Sequence, residues 1–241
     1  DYVHSAALAQ LSENTLISVW FAGSREGARD VQIRSARFDI ASEKWDREEV
    51  LATRESTQEG VDRYIRKLGN PVIALAPDQR LWLFYVAVSV GGWGGSSINA
   101  MVSEDMGKSW SEPWSLVTSP FFNISTLVRS APVFHADGSI GLPVYHEFIG
   151  KFAEYLLLSP DGKVIDKIRI SRGNHSLQPS VVPTGPQSAV AMMRYAGTEH
   201  HRVLASTTED AGRTWSTPVP LEPFNPNSSL AAALTHRNTL L

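Results

Sequence analysis

Ser103-Glu104-Asp105-Met106-Gly107-Lys108-Ser109-Trp110 and Thr208-Glu209-Asp210-Ala211-Gly212-Arg213-Thr214-Trp215 are two copies of one pattern, Ser/Thr-x-Asp-x-Gly-x-Ser/Thr-Trp. Each is followed by Ser and, two residues later, Pro. A pattern of this length that returns with the same flank marks an internal repeat. Its residues suit a tight turn. Asp bonds nearby backbone N–H groups, and Gly accepts a positive φ. The Trp is expected to place its ring in the apolar layer below the turn, with its N–H in need of a partner. Asp105 and Asp210 are therefore read as turn staples rather than as catalytic groups.

The repeat extends outward from these turns. An apolar strand follows a polar turn at Asn14 to Trp20, Gln79 to Tyr85, Asp137 to Tyr145 and Gln187 to Arg194, and a fifth copy opens at Asn238-Thr239-Leu240-Leu241. Each is preceded by another strand: His4 to Leu11, Asn70 to Leu75, Ser130 to His135, Gln178 to Val182 and Asn227 to Leu234. Each complete unit closes with a hairpin. Two hairpins carry the full pattern. Two are degenerate, Phe38-Asp39-Ile40-Ala41-Ser42-Glu43-Lys44-Trp45 and Ser159-Pro160-Asp161-Gly162-Lys163. The period of about fifty to sixty-five residues fits a four-stranded propeller blade with insertions. Helical periodicity is weak, and only Gln58 to Lys67 reads as a short helix.

Composition bounds the partners. The 241 residues are 42% hydrophobic with a formal net charge of −3, so no general basic surface suggests nucleic acid. No apolar run is long enough to span a membrane. With no Cys there is no disulfide, thiolate ligand or thiol nucleophile. His135, His146, His175 and the acids lack metal-ligand spacing, so neither a catalytic metal nor a cofactor is expected. The compartment stays open between bacterial cytoplasm and a secreted or periplasmic location. Asp1-Tyr2-Val3-His4 has no leader character, and the chain is read as starting inside a domain. The sequons at Asn123, Asn174 and Asn227 matter only in a eukaryotic secretory setting.

The paired motif resembles the Asp-box of sialidases (neuraminidases), closest to the bacterial branch of predicted neuraminidases. The resemblance implies an all-β, six-bladed β-propeller of four-stranded antiparallel blades. This chain holds four blades and the start of a fifth, so 1–241 is read as one sialidase-like domain, incomplete at the C-terminus. The Asp-box turns then lie on the rim, away from the active site. The ligand site falls at the channel mouth, where first strands begin and second strands end. His4, Asn70, Arg129, Gln178, Asn225 and Asn227 occupy the first set of positions. Arg25, Glu26, Asp30, Tyr145, His146, Glu147 and Arg194 occupy the second.

Further segments carry the resemblance. Trp20-Phe21-Ala22-Gly23-Ser24-Arg25-Glu26-Gly27 resembles the sialidase stretch that precedes a general-acid Asp, which implies Asp30, with Glu26 as rival. Leu177-Gln178-Pro179-Ser180-Val181-Val182 through Arg194 resembles the stretch with a catalytic Glu and the second Arg of a carboxylate-binding triad, which implies that Arg194 binds a sugar carboxylate. The chain departs from the family at His4, where the first triad Arg is usual, and at Gln178, where the Glu is usual. The third Arg and the nucleophilic Tyr would fall beyond Leu241. Glu147 is a candidate replacement base, and Tyr145 and His146 end an apolar strand beside it. Gly91-Gly92-Trp93-Gly94-Gly95 reads as a loop presenting an indole for sugar stacking, and His200-His201 as solvent-facing. The expected activity is an exo-α-sialidase-type glycosidase acting on an acidic glycan. A lyase or another glycosidase using His4, Tyr145 and His146, and a carbohydrate-binding propeller without turnover, are the alternatives.

Overall fold

The computed structural model describes residues 2–173, 175–235, 237 and 239–241. The chain divides into two compact units, Asp1–Leu116 and Val117–Leu241. Each holds two antiparallel sheets of the propeller-blade type.

In the first unit, β1 (Tyr2–Ser12), β2 (Thr15–Gly23), β3 (Gln32–Asp39) and β4 (Lys44–Trp45) pair in order, and β5 (Glu49–Ala52) joins β3. Helix α1 (Arg54–Val61) leads to the second sheet of β6 (Lys67–Leu75), β7 (Leu81–Val88), β8 (Ser96–Ser103) and β9 (Trp114–Ser115). All eight residues of β7 are buried, which explains why its sequence is an unbroken apolar run without alternation. Its Leu81, Leu83 and Tyr85 join Ile17, Val19 and Phe21 of β2 in one core.

The second unit repeats the plan. β10 (Leu127–Val128) and β11 (Val133–Phe134) both pair with β12 (Ile140–His146), which continues to β13 (Phe152–Leu158) and β14 (Val164–Arg169). β15 (Ser176–Pro183), β16 (Ala189–Tyr195), β17 (Arg202–Thr208) and β18 (Val219–Phe224) form the last sheet in order. Beyond it, Leu234 and Leu240 make an antiparallel bridge where the fifth copy is expected to open; Asn238 lies outside the described residues. No helix among the described residues is long and apolar enough to cross a membrane.

The two full turn motifs are built alike. Ser103 Oγ accepts from Gly107 N at 2.7 Å and donates to Asp105 Oδ1. That carboxylate also accepts from Ser109 N and Ser109 Oγ. Thr208, Asp210, Gly212 and Thr214 repeat every one of these bonds. Gly107 and Gly212 sit at φ +83 and +85. Trp215 packs on the second unit's core and donates Nε1 to Gly212 O. The degenerate turn keeps the same logic, with Ser159 Oγ bonding Asp161 and accepting from Lys163 N.

The Lys163 ammonium, with Nζ 2.8 Å from Asp161 Oδ2, and then the Ser159 hydroxyl hold the Asp161 carboxyl down at about 2. An unfolded Asp titrates near ~3.9. Its stabilisation is therefore complete above about pH 4 and is lost as pH falls towards about 2. Asp161→Asn should lower the melting temperature at pH 7, and the gap to wild type should close as the pH is taken down through that window. A gap of constant size from pH 7 to 2 would contradict the assignment.

Several elements differ from expectation. The strand expected over Ser130 to His135 forms as the two short pieces β10 and β11, and the one expected over Asn227 to Leu234 does not form, apart from the isolated bridge at Leu234. The helix lies at Arg54–Val61, not Gln58 to Lys67. Thr53 caps it by accepting from Ser56 N, and Asp62 ends it in the left-handed conformation. The first strands also begin earlier than expected: β6 starts at Lys67 and β15 at Ser176. Asn70 and Gln178, read as strand starts, sit inside their strands at positive φ, where a bulge breaks the alternation.

Candidate functional site

The bulges aim the polar side chains. In β15, Leu177 faces Arg194 and Ser180 faces Met192, so Gln178 and Pro179 share the space opposite Met193. In β6, Asn70 and Pro71 likewise oppose Tyr85. In β1, Ser5 and Ala6 oppose Trp20. Gln178, Asn70 and Ser5 take φ of +51, +45 and +61. Proline loses nothing at a bulge, where its missing N–H is not called on by the ladder. A left-handed residue turns the chain locally, so the bulge residue reaches along the strand end instead of across the sheet.

In the second unit this brings four residues together. Arg194 Nη1 donates to Gln178 Oε1 at 3.2 Å, and Arg194 Nε donates to Asn227 Oδ1 at 2.6 Å. Tyr145, paired with Leu127 at the end of β12, is 2% exposed, and its hydroxyl bonds Gln178. Burial raises the Tyr145 phenol to about 12, so it is neutral at pH 7. Arg129, Glu147 and Arg194 all act on it electrostatically. Glu147 N donates to Ser125 Oγ, which fixes the strand exit. Among the described residues, neither Arg194 nor Arg129 forms an ion pair. The acceptors on Arg194 are neutral amides, so its charge is oriented without being neutralised.

His146 is turned the other way. Successive strand residues face opposite sides, and its ring stacks on Phe152 with centroids 4.5 Å apart. Its Nε2 accepts from Ile149 N, and burial with Lys167 and Arg169 nearby holds its pKa below the usual range. It braces the 146–149 turn.

In the first unit, Ser5 Oγ donates to Asn70 Oδ1 at 3.2 Å. His4 lies edge-on to Phe21 at 5.6 Å and borders, with Ser5 and Trp20, a cleft of about 410 Å³. Glu26 accepts from the Tyr2 hydroxyl at 3.5 Å and faces the Lys67 ammonium electrostatically. Lys67 Nζ stands 3.8 Å from the centre of the Trp93 ring. A Cβ on Gly69 would come within 2.7 Å of that indole, so glycine makes room for it. One face of Trp93 is thus already covered. Asp30 accepts from Ser24 Oγ and Ser24 N, both at 3.0 Å. Those bonds, the side-chain one foremost, hold its pKa below the usual range and keep it ionised. Arg25 lies exposed in the same 24–30 turn.

The structure therefore joins Tyr145, Gln178, Arg194 and Asn227 in one unit, with Glu147 and Arg129 beside them. In the other it joins His4's neighbour Ser5 to Asn70, and Glu26 to Lys67 and Trp93. Ser5 was not anticipated. Its alignment with Asn70 and Gln178, one residue before Ala6, Pro71 and Pro179, was the available signal. Among the described residues, no three His, Asp or Glu side chains cluster closely enough to hold a metal ion.

The sequence profile of the BNR repeat-like domain family matches residues 14–241. No curated protein matches the sequence. Among solved structures, the Hadza microbial sialidase Hz136 superposes with a TM-score of 0.76 at 17% identity, covering 95% of this chain and 50% of that one. The chain thus spans about half the length of that sialidase. A protein of unknown function from Dyadobacter fermentans gives 0.80 at 13% identity, covering 99% and 74%. A GH43 endo-arabinanase from Bacillus licheniformis gives 0.61 at 13% identity, covering 93% and 81%. The fold is that of glycoside hydrolase propellers.

Proposed function

Because the chain belongs to the BNR repeat-like domain family, we propose that it is a glycoside hydrolase of exo-α-sialidase type, releasing a terminal sialic acid or related acidic sugar from glycans. The observation that carries this reading is the Arg194 guanidinium, held by Gln178 and Asn227 through neutral oxygens alone. An arginine fixed in this way has charge and donors left for a planar carboxylate. Tyr145, buried and neutral, is assigned to the site's lining, where it adds no negative charge beside a substrate carboxylate. Glu147 is assigned as the replacement base. The proton for the leaving oxygen is assigned to Asp30 or Glu26. Asp30 would first have to lose its Ser24 bonds, because a donor must carry a proton at the working pH. Glu26 accepts instead from the Tyr2 hydroxyl at 3.5 Å.

The test is a panel of fluorogenic glycosides, with and without a carboxylate, read together with ultraviolet absorbance on uronic-acid oligosaccharides. Reporter release from acidic glycosides supports the hydrolase. An absorbing unsaturated product would replace it with a lyase, and inactivity on every acidic substrate would sink it.

One observation favours a second reading, a carbohydrate-binding propeller without turnover. Gln178 is an amide where a carboxylate would activate the phenol, and it bonds Tyr145 directly. Ligand binding with no product would establish that reading.

Gln178→Glu probes the charge argument itself. A carboxylate there would satisfy Arg194 internally and compete with the ligand's own. Acid affinity should fall by roughly tenfold, of the order expected for a hydrogen bond to a charged group. Unchanged affinity, measured by calorimetric titration with N-acetylneuraminic acid, would contradict the uncompensated role of Arg194.

A further inference from the structure

We propose that two loops beside the second unit's site dock this protein on the surface of an anionic lipid bilayer, so that the site faces glycans displayed there. The inference deepens the acidic-sugar reading by naming how the substrate is presented, and rests on that reading only for the sugar. It starts from strand ends. Leu127 opens β10 opposite Tyr145, next to the last residue of β12. The segment 117–126 and the turn 147–151 therefore leave the sheet at one end, the end that carries Tyr145. Ser176 N donates to Lys151 O at 3.1 Å, and Leu177 faces Arg194, so β15 and β16 bring Gln178 and Arg194 to that same end.

Each loop holds a pair of large apolar side chains in water. Phe121 and Phe122 are 89% and 75% exposed, and Phe148 and Ile149 are 62% and 81% exposed. Apolar residues exposed singly are ordinary, whereas adjoining ones mark a contact surface. The two pairs adjoin. Glu147 N donates to Ser125 Oγ at 3.1 Å, one residue from Phe148 and three from Phe122. Polar bonds fix the bases of both loops. Asn123 Oδ1 accepts from Thr118 N and Oγ1, and His146 Nε2 accepts from Ile149 N. Ser125 is buried at φ +59, a conformation that costs a non-glycine residue energy and persists where the surroundings enforce it. The tips are thus held outward. Side chains this exposed lie against no neighbour, unlike those of a flat interface, and suit burial at the boundary of headgroups and acyl chains.

Charge selects the lipid. The segments 117–126, 146–152 and 169–176 carry Lys151, Arg169 and Arg172 against one acid, Glu147. Lys151 and Arg172 are exposed, and among the described residues neither forms an ion pair. Basic side chains beside apolar tips match anionic headgroups. A glycolipid ending in an acidic sugar adds to that surface charge.

The experiment is cosedimentation of the full chain with two sugar-free vesicles, one of phosphatidylcholine alone and one of equal parts phosphatidylcholine and phosphatidylserine. Wild type should bind the anionic vesicles roughly tenfold more strongly than the neutral ones, with the difference shrinking in high salt. Phe121→Ser combined with Phe148→Ser should weaken binding roughly tenfold to a hundredfold, the range for apolar rings left in water, at an unchanged melting temperature. Lys151→Gln combined with Arg172→Gln should remove most of the preference for anionic lipid. Ile165→Ser is the control, since Ile165 is exposed at the opposite end of this sheet, and it should bind like wild type. No binding to either vesicle, equal binding to both, or an equal loss in the control would overturn the proposal. Loss of self-association in the Phe variant, with vesicle binding unchanged, would make the tips an interface between copies and overturn it as well. Vesicle binding without hydrolysis of any acidic glycoside would sink the hydrolase and keep the docking surface; hydrolysis without vesicle binding would do the reverse.

Discussion

Arg194→Ala should remove most recognition of an acidic ligand while leaving the protein folded. The guanidinium lies on β16 with only side-chain amides attached, Gln178 on β15 and Asn227 beyond β18. Truncation leaves those two amides to water, since Asn227 is exposed and Gln178 half-exposed. The backbone pairing of Leu177 with residue 194 does not depend on the side chain. Losing one partner of a hydrogen-bonded charge pair costs about 2–4 kcal/mol, or roughly 30- to 700-fold in affinity. The charged partner here is the ligand, so the loss should appear for N-acetylneuraminic acid and not for its methyl ester. Arg194→Lys should recover less than half of it in free energy, because an ammonium cannot make the bidentate contact or hold both amides. Equal losses on acid and ester would mean that Arg194 shapes the site instead of reading charge.

Gly212→Ala should give a large loss of stability for one added methyl group. Gly212 has φ +85, and a Cβ there would lie 2.5 Å from Tyr155 Cε1. Tyr155 cannot withdraw. It is 1% exposed, edge-on to Trp215 at 5.6 Å, and bonded to His135 Nε2 at 3.0 Å. Gly141 faces it from another strand, where a Cβ would fall 1.7 Å from the hydroxyl oxygen. A left-handed alanine costs about 1–2 kcal/mol, and forced overpacking about 1–3 kcal/mol more. The sum, about 2–5 kcal/mol, corresponds to roughly 4–20 °C in melting temperature for a chain of this size. Gly92→Ala is the control, since nothing lies within 4 Å of its added Cβ and its φ is not positive. A Gly212 variant that melts like the Gly92 variant would mean that the turn motif does not clamp this core.

The repeat was readable because it is written in residues with narrow conformational roles. Asp105, Gly107 and Trp110 recur as Asp210, Gly212 and Trp215; the Ser/Thr and Asp bonds form in both copies, but Trp215 Nε1 donates to Gly212 O while Trp110 Nε1 is buried without a partner among the described residues. The second strands were readable because burial on both faces, as in Leu81–Val88, leaves an uninterrupted apolar run. Features that depend on pairing between strands were not. Asn70 and Gln178 read as strand starts because a proline follows each. Only the cross-strand register shows them to be bulges inside longer strands. The helix was displaced because its cap, Thr53 with Ser56, uses a serine where the common capping box has Glu or Gln. At the site, Arg194 and Gln178 were named from sequence, but their mutual bond and the Tyr145 contact are tertiary. Tyr145-His146-Glu147 looked like one cluster. Strand alternation splits it, sending His146 onto Phe152. Asp30 was chosen by its place after Arg25, and the pinning by Ser24 comes from a turn whose closure the sequence does not specify.

The measurement closest to the central claim is turnover of a fluorogenic α-sialoside compared with the same sialoside esterified at its carboxylate. The acid should release its reporter at least tenfold faster than the ester, and Arg194→Ala should lose that preference. Equal turnover of acid and ester, or none of either by the folded chain, would contradict that claim.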